Sequence, residues 1–371
     1  MKMNIKELVV IFNSYKLLDE IKLTSFSKKK VLITGHTGFK GSWLTFWLKQ
    51  LNANICGISK NIPTNPSLYK TLKIQNNIIN YKFDINDLAK LKKVIIRFRP
   101  DYIFHLAAQS LVTESYVNPV NTFTTNAIGT CNILESVRLL NKKCNVILIT
   151  SDKSYKNKEI YRGYKESDEL GGHDPYSASK GCAEFIIQSY IKSFFYKNKK
   201  IKIGVARAGN VIGGGDWSIN RVIPDCFKSW SSNKKLVLRN PNATRPWQHV
   251  LEVLAGYLIF ALHLDKNKFN YEVFNFGPKN TQNKKVIDVI KKLKTFESSI
   301  NWKTKKTNSF FESKLLKLNS SKAEKKLNWS NKLLFKETLK MTLEWYKTYF
   351  KNRNKIIHFT VNQIKNYQKK L

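Results

Sequence analysis

The chain has 371 residues, 42% of them hydrophobic, which is an ordinary globular composition with enough length for one large domain or two smaller ones around a sizeable core. No apolar run is long enough for a membrane-spanning helix, and Leu8–Phe12 is too short for a signal-peptide core, so the chain reads as cytoplasmic. The net charge of +39 comes from lysines spread over every segment, without an aromatic-interleaved basic stripe, which argues against a nucleic-acid partner and favours an anionic small-molecule substrate.

Residues 1–25 precede the first strand and read as a short amphipathic helix or an extension. Short apolar runs then alternate with helical patterns, as parallel βαβ units do. The expected strands are Lys30–Thr34, Asn54–Ile58, Asn80–Asp84, Tyr102–Leu106, Val146–Thr150, Lys202–Ala206 and Val273–Phe276, nearly all-apolar as befits strands buried on both faces. Between the first two, Phe39–Leu51 carries Trp43, Trp47 and Leu51 every four residues, and so reads as a helix with one broad apolar face. The fold class that follows is α/β, a Rossmann-like, doubly wound parallel sheet.

From about residue 209 the alternation breaks down. Glycines cluster at Gly213-Gly214-Gly215, and loops with Trp, Arg and Pro follow. This reads as a smaller, mixed α/β C-terminal region over residues 209–371 that binds the substrate, beside a dinucleotide-binding domain over 26–208 to which the chain returns near 250–277. The lysine-rich stretch 284–306 reads as a solvated helix and loop, and Leu334–Tyr349 as a helix. The five cysteines, Cys56, Cys131, Cys144, Cys182 and Cys226, are scattered without paired metal spacing and read as free thiols, with no metal site.

The first strand runs into Gly35-His36-Thr37-Gly38-Phe39-Lys40-Gly41 and then the first helix. Strand, glycine turn and helix together let backbone N–H groups meet a pyrophosphate. The turn therefore suits a dinucleotide cofactor, met by Gly35, Thr37, Gly38, Phe39, Lys40 and Gly41. An acid normally follows about twenty residues later, at the end of the second strand, to accept the ribose hydroxyls. Here Ile58-Ser59-Lys60 stands instead, and Lys60 suits a 2′-phosphate, so NADP stays open beside NAD on this ground alone. Asp84-Ile85 ends the third strand, where Asp84 either accepts from the adenine amino group or caps the next helix. His105-Leu106-Ala107-Ala108-Gln109 ends the fourth, where small residues let backbone lie against the cofactor.

Two further strings carry chemistry. Tyr176 and Lys180 lie one helical turn apart and share a face. A phenol has a reference pKa near ~10, and a neighbouring ammonium favours its phenolate. The fifth strand ends in Thr150-Ser151-Asp152-Lys153, at the strand end where open sheets bind ligands. Ser151 suits a hydrogen bond to the reacting oxygen, and Asp152 and Lys153 add an acid and a base that simple dehydrogenation does not need.

The spacing G-x-x-G-x-x-G resembles that of the extended short-chain dehydrogenase/reductases. With Ser151-Asp152-Lys153-Ser154-Tyr155, Asp174-Pro175-Tyr176-Ser177-Ala178-Ser179-Lys180, Arg207-Ala208-Gly209-Asn210 and Arg245-Pro246-Trp247-Gln248-His249, residues 26–365 resemble the nucleotide-sugar 4,6-dehydratases. Asp-Lys where the dTDP-glucose enzymes carry Asp-Glu points to the CDP-glucose branch, and that branch also tends to lack the ribose acid. The resemblance implies NAD as cofactor, a nucleotide-sugar substrate, a homodimer or higher oligomer, and a product that feeds deoxysugar and surface polysaccharide synthesis. It implies Ser151, Asp152, Lys153, Tyr176 and Lys180 as catalytic residues, with Asp84, Ile85, Ala107, Ala108, Gln109, Tyr176 and Lys180 also touching the cofactor. Asn210, Arg221 and Arg245, with Ser151, would hold the substrate, whose phosphates suit guanidinium forks. The rival readings are a nucleotide-sugar 4-epimerase of the same fold, which has no use for Asp152 and Lys153, and a non-catalytic dinucleotide- or RNA-binding scaffold, supported by the charge alone.

Overall fold

The computed structural model describes residues 22–266, 268–279, 283–305 and 315–371. Its centre is a seven-stranded sheet built from β1 (Lys30–Thr34), β2 (Asn54–Ser59), β3 (Ile79–Lys82), β4 (Tyr102–His105), β5 (Cys144–Ile149), β6 (Ile201–Ala208) and a returning strand, Tyr271–Phe276. The order across the sheet is Tyr271–Phe276, β6, β5, β4, β1, β2, β3, with every neighbour parallel. The strand order reverses beside β1, which opens a crevice at the carboxyl ends of β1 and β4. The registers Thr34↔His105 and Ile149↔Ala206 bring the ends of four strands level there.

Most strands are buried from end to end, as their apolar runs require. β3 differs. It is an edge strand whose Ile79 is half exposed, since no further strand pairs with it among the described residues. The helix Phe39–Gln50 also differs from its one-sided expectation, since Gly41 to Leu48 are all buried. The helix Ile356–Gln368 packs on its outer side, with the Tyr367 ring edge-on to Trp47 at 6.0 Å, while Trp43 Nε1 donates to Gly214 O at 2.9 Å. Residues 1–21 of the N-terminal extension lie outside the described residues; Leu23–Phe26 forms a 3-10 turn that buries Phe26 against Tyr102.

After β6 the chain makes short ribbons, 211–212 with 248–249, 244–246 with 283–285 and 236–238 with 302–304, around the helices Val222–Ser231 and Val250–Asp265. The stretch 284–306 is not merely solvated. Its helix Val286–Phe296 buries Val289, Ile290 and Leu293, and its lysines stay at the surface or half-buried; residue 306 lies outside the described residues. The helix expected over Leu334–Tyr349 spans Phe335–Lys351.

Candidate active site

A cleft of about 1450 Å³ opens at the carboxyl ends of the strands, between the sheet and the ribbons that follow β6. That volume exceeds what one small ligand needs and has room for two. Every residue expected to act in catalysis or to hold the cofactor or substrate lines it except Lys180.

The glycine turn is shaped by close approach. Gly35 has φ +72°, and a Cβ there would lie 2.7 Å from Ala107 N. A Cβ on Gly41 would lie 2.1 Å from Gly35 O, so the turn closes tightly under the helix. Gly38, the N-cap residue, meets nothing nearer than Gly35 O at 3.4 Å and faces open space. Below the turn, His36 is buried between Ser59 Oγ and Asn80 Oδ1, both at 2.9 Å. Thr37 Oγ1 donates to Asn61 O at 2.6 Å. The bare backbone at Gly38, over a helix N-terminus, fits a pyrophosphate.

Lys60 is not free for a second phosphate. It forms an ion pair with Asp84 at 2.9 Å, and Asp84 Oδ1 accepts from Asn86 N at 3.0 Å. The helix after β3 is capped by Asp87, not Asp84. Lys60 and the Asn86 amide hold the Asp84 carboxyl below its usual range, although its partial burial works against them. The pair offsets the cation that a 2′-phosphate needs, so this end fits NAD. Ile85 is buried, Ala107 and Ala108 are half-buried, and all three line the cleft. Gln109 lines it too, but its side chain is held by its own loop, donating to Leu111 O and Thr122 Oγ1. His105 is a packed residue, buried between Thr34 Oγ1 at 2.7 Å and Thr130 Oγ1 at 3.2 Å.

The reacting groups converge from β5 and the helix Pro175–Tyr190. Asp174 caps that helix through Ser177 N at 2.9 Å, and Pro175 sits at its first position. Tyr176 is buried, and burial pushes its phenol up to about 12. The nearby Ser151 hydroxyl and the charge of Arg221 pull it down, while Asp152 pushes it up. Lys180 lies just off the cleft, and burial, with Lys40 beside it, lowers its ammonium to about 7. The charge of Arg221, another residue of the cleft lining, is the one that lowers the Tyr176 phenol. Lys40, half-buried at the helix N-terminus, is itself lowered to about 8, chiefly by desolvation and then by Arg221.

Ser151, Asp152 and Lys153 follow β5 in a 3-10 turn that Ser151 caps, accepting from Lys153 N at 3.2 Å. Asp152 is buried and accepts from Ser151 Oγ at 3.0 Å through Oδ1, while its Oδ2 meets no partner among the described residues. Burial raises its carboxyl, and Lys153, Ser151 and Arg245 oppose that rise. Lys153 is half-buried at the cleft wall. The cleft is also lined by Asn210, half-buried; by Arg221, whose guanidinium pairs with Asp216 at 3.2 Å; and by Arg245, buried with its charge acting on Asp152. Trp217 packs against Tyr346, Tyr349 and Phe350, and Trp247 Nε1 donates to Lys284 O.

Two features escape the sequence reading. Asn126 lies in a single π-turn, Thr124–Ile128, and its Nδ2 donates to Gln109 O and Ser179 Oγ, tying the cofactor loop to the helix of Tyr176. Glu184, one turn beyond Lys180, forms a buried bidentate pair with Arg207 at 2.8 and 2.9 Å and accepts from Thr150 Oγ1 at 2.6 Å. Arg207 also donates to Tyr155 OH at 2.7 Å. Thr150 and Tyr155 bracket the Ser151–Ser154 turn, so this buried hub anchors it at both ends. Glu184 and Arg207 lie on different elements, so no local pattern in the sequence announces their pairing.

Residues 32–342 match the model of the GDP-mannose 4,6 dehydratase family. A CDP-glucose 4,6-dehydratase from Salmonella typhimurium is 41% identical over 336 residues, covering 89% of this chain and 93% of that protein. Among solved structures, an epimerase from Methanothermobacter thermautotrophicus superposes with a TM-score of 0.78 at 23% identity, covering 90% of this chain and 96% of that one. A dTDP-glucose 4,6-dehydratase from Bacillus anthracis, solved in complex with NAD, superposes with a TM-score of 0.70 at 23% identity, covering 86% and 97%.

Proposed function

The chain belongs to the GDP-mannose 4,6 dehydratase family, and from that membership we propose that it is a CDP-glucose 4,6-dehydratase that uses NAD. The observation that carries this reading is the buried Asp152 with Lys153 beside Tyr176 and Ser151, since oxidation at carbon 4 alone has no use for the first two. The product is CDP-4-keto-6-deoxyglucose, with water released, and it feeds deoxysugar synthesis.

The glycine turn Gly35–Gly41 would hold the pyrophosphate of NAD, Asp84 and Ile85 its adenine end, Ala107, Ala108 and the Gln109 backbone its middle, and Tyr176 with Lys180 its nicotinamide end. The chemistry NAD supplies when bound is reversible hydride transfer, out from carbon 4 and back to carbon 6. Tyr176 takes the proton of the 4-hydroxyl, with Ser151 hydrogen-bonded to the same oxygen. The 4-ketone so formed makes the hydrogen on carbon 5 acidic. Lys153 removes it and returns a proton to carbon 5 once carbon 6 has been reduced, while Asp152 protonates the leaving 6-hydroxyl, which departs as water; the proton that Tyr176 took makes good the one that Asp152 gave up. Burial of Asp152 favours the protonated carboxyl that this step calls for. Asn210, Arg221 and Arg245 face the substrate phosphates.

Exposed Ile128, Phe185 and Phe194, each half or more exposed on helices flanking β5, support assembly of a homodimer through that face, which sedimentation would measure. Five free thiols and the cofactor support a cytoplasmic place. No helix of the described residues is long and apolar enough to cross a membrane.

The test is direct. Purified protein with CDP-glucose and NAD yields a 4-keto-6-deoxy sugar, seen as new absorbance in alkali and loss of the mass of one water. Interconversion with the carbon 4 epimer, and no loss of water, would sink the reading in favour of an epimerase.

A further inference from the structure

The residues described so far leave the nucleobase unread. The cleft runs on past Arg221 to a wall formed by the helix Val222–Ser231 and the strand Leu236–Leu238. Val222, Pro224, Val237 and Leu238 give that wall an apolar surface suited to a flat ring. Arg221, Asp225 and Lys228 follow one another at helical spacing and all line the cleft. With the sugar at Tyr176 and the diphosphate at Arg221, the base lies one step further along, at Asp225.

Asp225 is the acid on this wall. Its backbone N–H donates to Arg221 O at 3.0 Å, but its half-buried carboxylate has no hydrogen-bond or ion-pair partner among the described residues. The neighbouring cations are turned elsewhere: Lys228 Nζ donates to Trp217 O at 2.8 Å and Arg239 to Asn220 Oδ1 at 3.1 Å. The carboxylate oxygens therefore stay available to a ligand.

We propose that Asp225 accepts a hydrogen bond from the 4-amino group of cytosine and sets the base selectivity, an inference that rests on the cytidine reading above. A carboxylate offers only acceptors. Cytosine presents an amino donor at carbon 4, whereas uracil and thymine present a carbonyl acceptor there, which a carboxylate repels. Burial raises the Asp225 carboxyl above its usual range and Asp216 adds to that rise, while Lys228 and Arg239 oppose it. A buried polar group matched to one ligand and unmatched to its analogue discriminates strongly.

The test compares kcat/KM for CDP-glucose, UDP-glucose and dTDP-glucose in the wild type, Asp225→Asn and Asp225→Ala. The wild type prefers CDP-glucose. In both variants that preference over UDP-glucose shrinks by about 10-fold or more, with the loss on CDP-glucose carried by KM, as removal of a charged hydrogen bond predicts. Calorimetric titration of CDP and UDP makes the same comparison without turnover. A wild type that prefers a thymidine or uridine sugar overturns the nucleotide assigned above. A wild type selective for cytidine whose preference survives in both variants overturns the role of Asp225 alone.

Discussion

Asp152 is buried with one carboxylate oxygen that no described group meets, a state tolerated where a ligand supplies the missing partner. Its neighbours divide the reaction. Tyr176 belongs to the oxidation, and Tyr176→Phe lowers kcat by about a thousandfold, the scale of a lost general base, while NAD binding measured by fluorescence persists. Lys153 belongs to the elimination. In Lys153→Ala, exchange of the carbon 5 hydrogen with deuterated solvent disappears, and undiminished exchange would refute its role as the base. Tyr176 and Lys180 were legible in the sequence because helical spacing is local information. The Arg221 charge acting on Tyr176 was not, because the two lie in elements brought together only by the cleft.

At the scale of elements, the hub of Glu184 and Arg207 joins the helix of Tyr176 to the ends of β5 and β6. Both side chains are almost fully buried. Breaking such a pair leaves an uncompensated charge, so Glu184→Gln costs about 3–5 kcal/mol in urea unfolding. The double variant Glu184→Gln with Arg207→Met recovers part of that loss, because no unpaired charge remains. The strands around this hub were readable as apolar runs, and β1 begins and ends where the pattern placed it. The all-round burial of the helix Phe39–Gln50 was not readable. Its one-sided pattern carries no record of the distant helix that covers the other side.

Over the whole molecule, that covering helix is tied back by Glu252, buried in the helix Val250–Asp265. Glu252 accepts from Tyr367 OH at 2.8 Å and from the backbone N–H groups of Lys332 and Leu333. Burial pushes its carboxyl up to about 7, against the hydrogen bonds that pull it down. The folded protein therefore binds this proton more tightly than the unfolded chain does. Stability from Glu252 is complete below about pH 4.5 and is lost as pH rises to 7. Relative to Glu252→Gln, which has no such titration, the wild type loses on the order of 3 kcal/mol across that window, measurable by parallel urea melts. The charge of +39 contributes to both proteins alike and drops out of the difference.

The dinucleotide half of the sheet has no finished exterior of its own. Trp43 and Trp47, on the helix that begins at the cofactor turn, find their cover in Gly214 and Tyr367, contributed by chain made long afterwards. During synthesis these indoles stay bare while the rest is translated. A fragment cut after β6 would accordingly be sticky rather than an autonomous coenzyme-binding module.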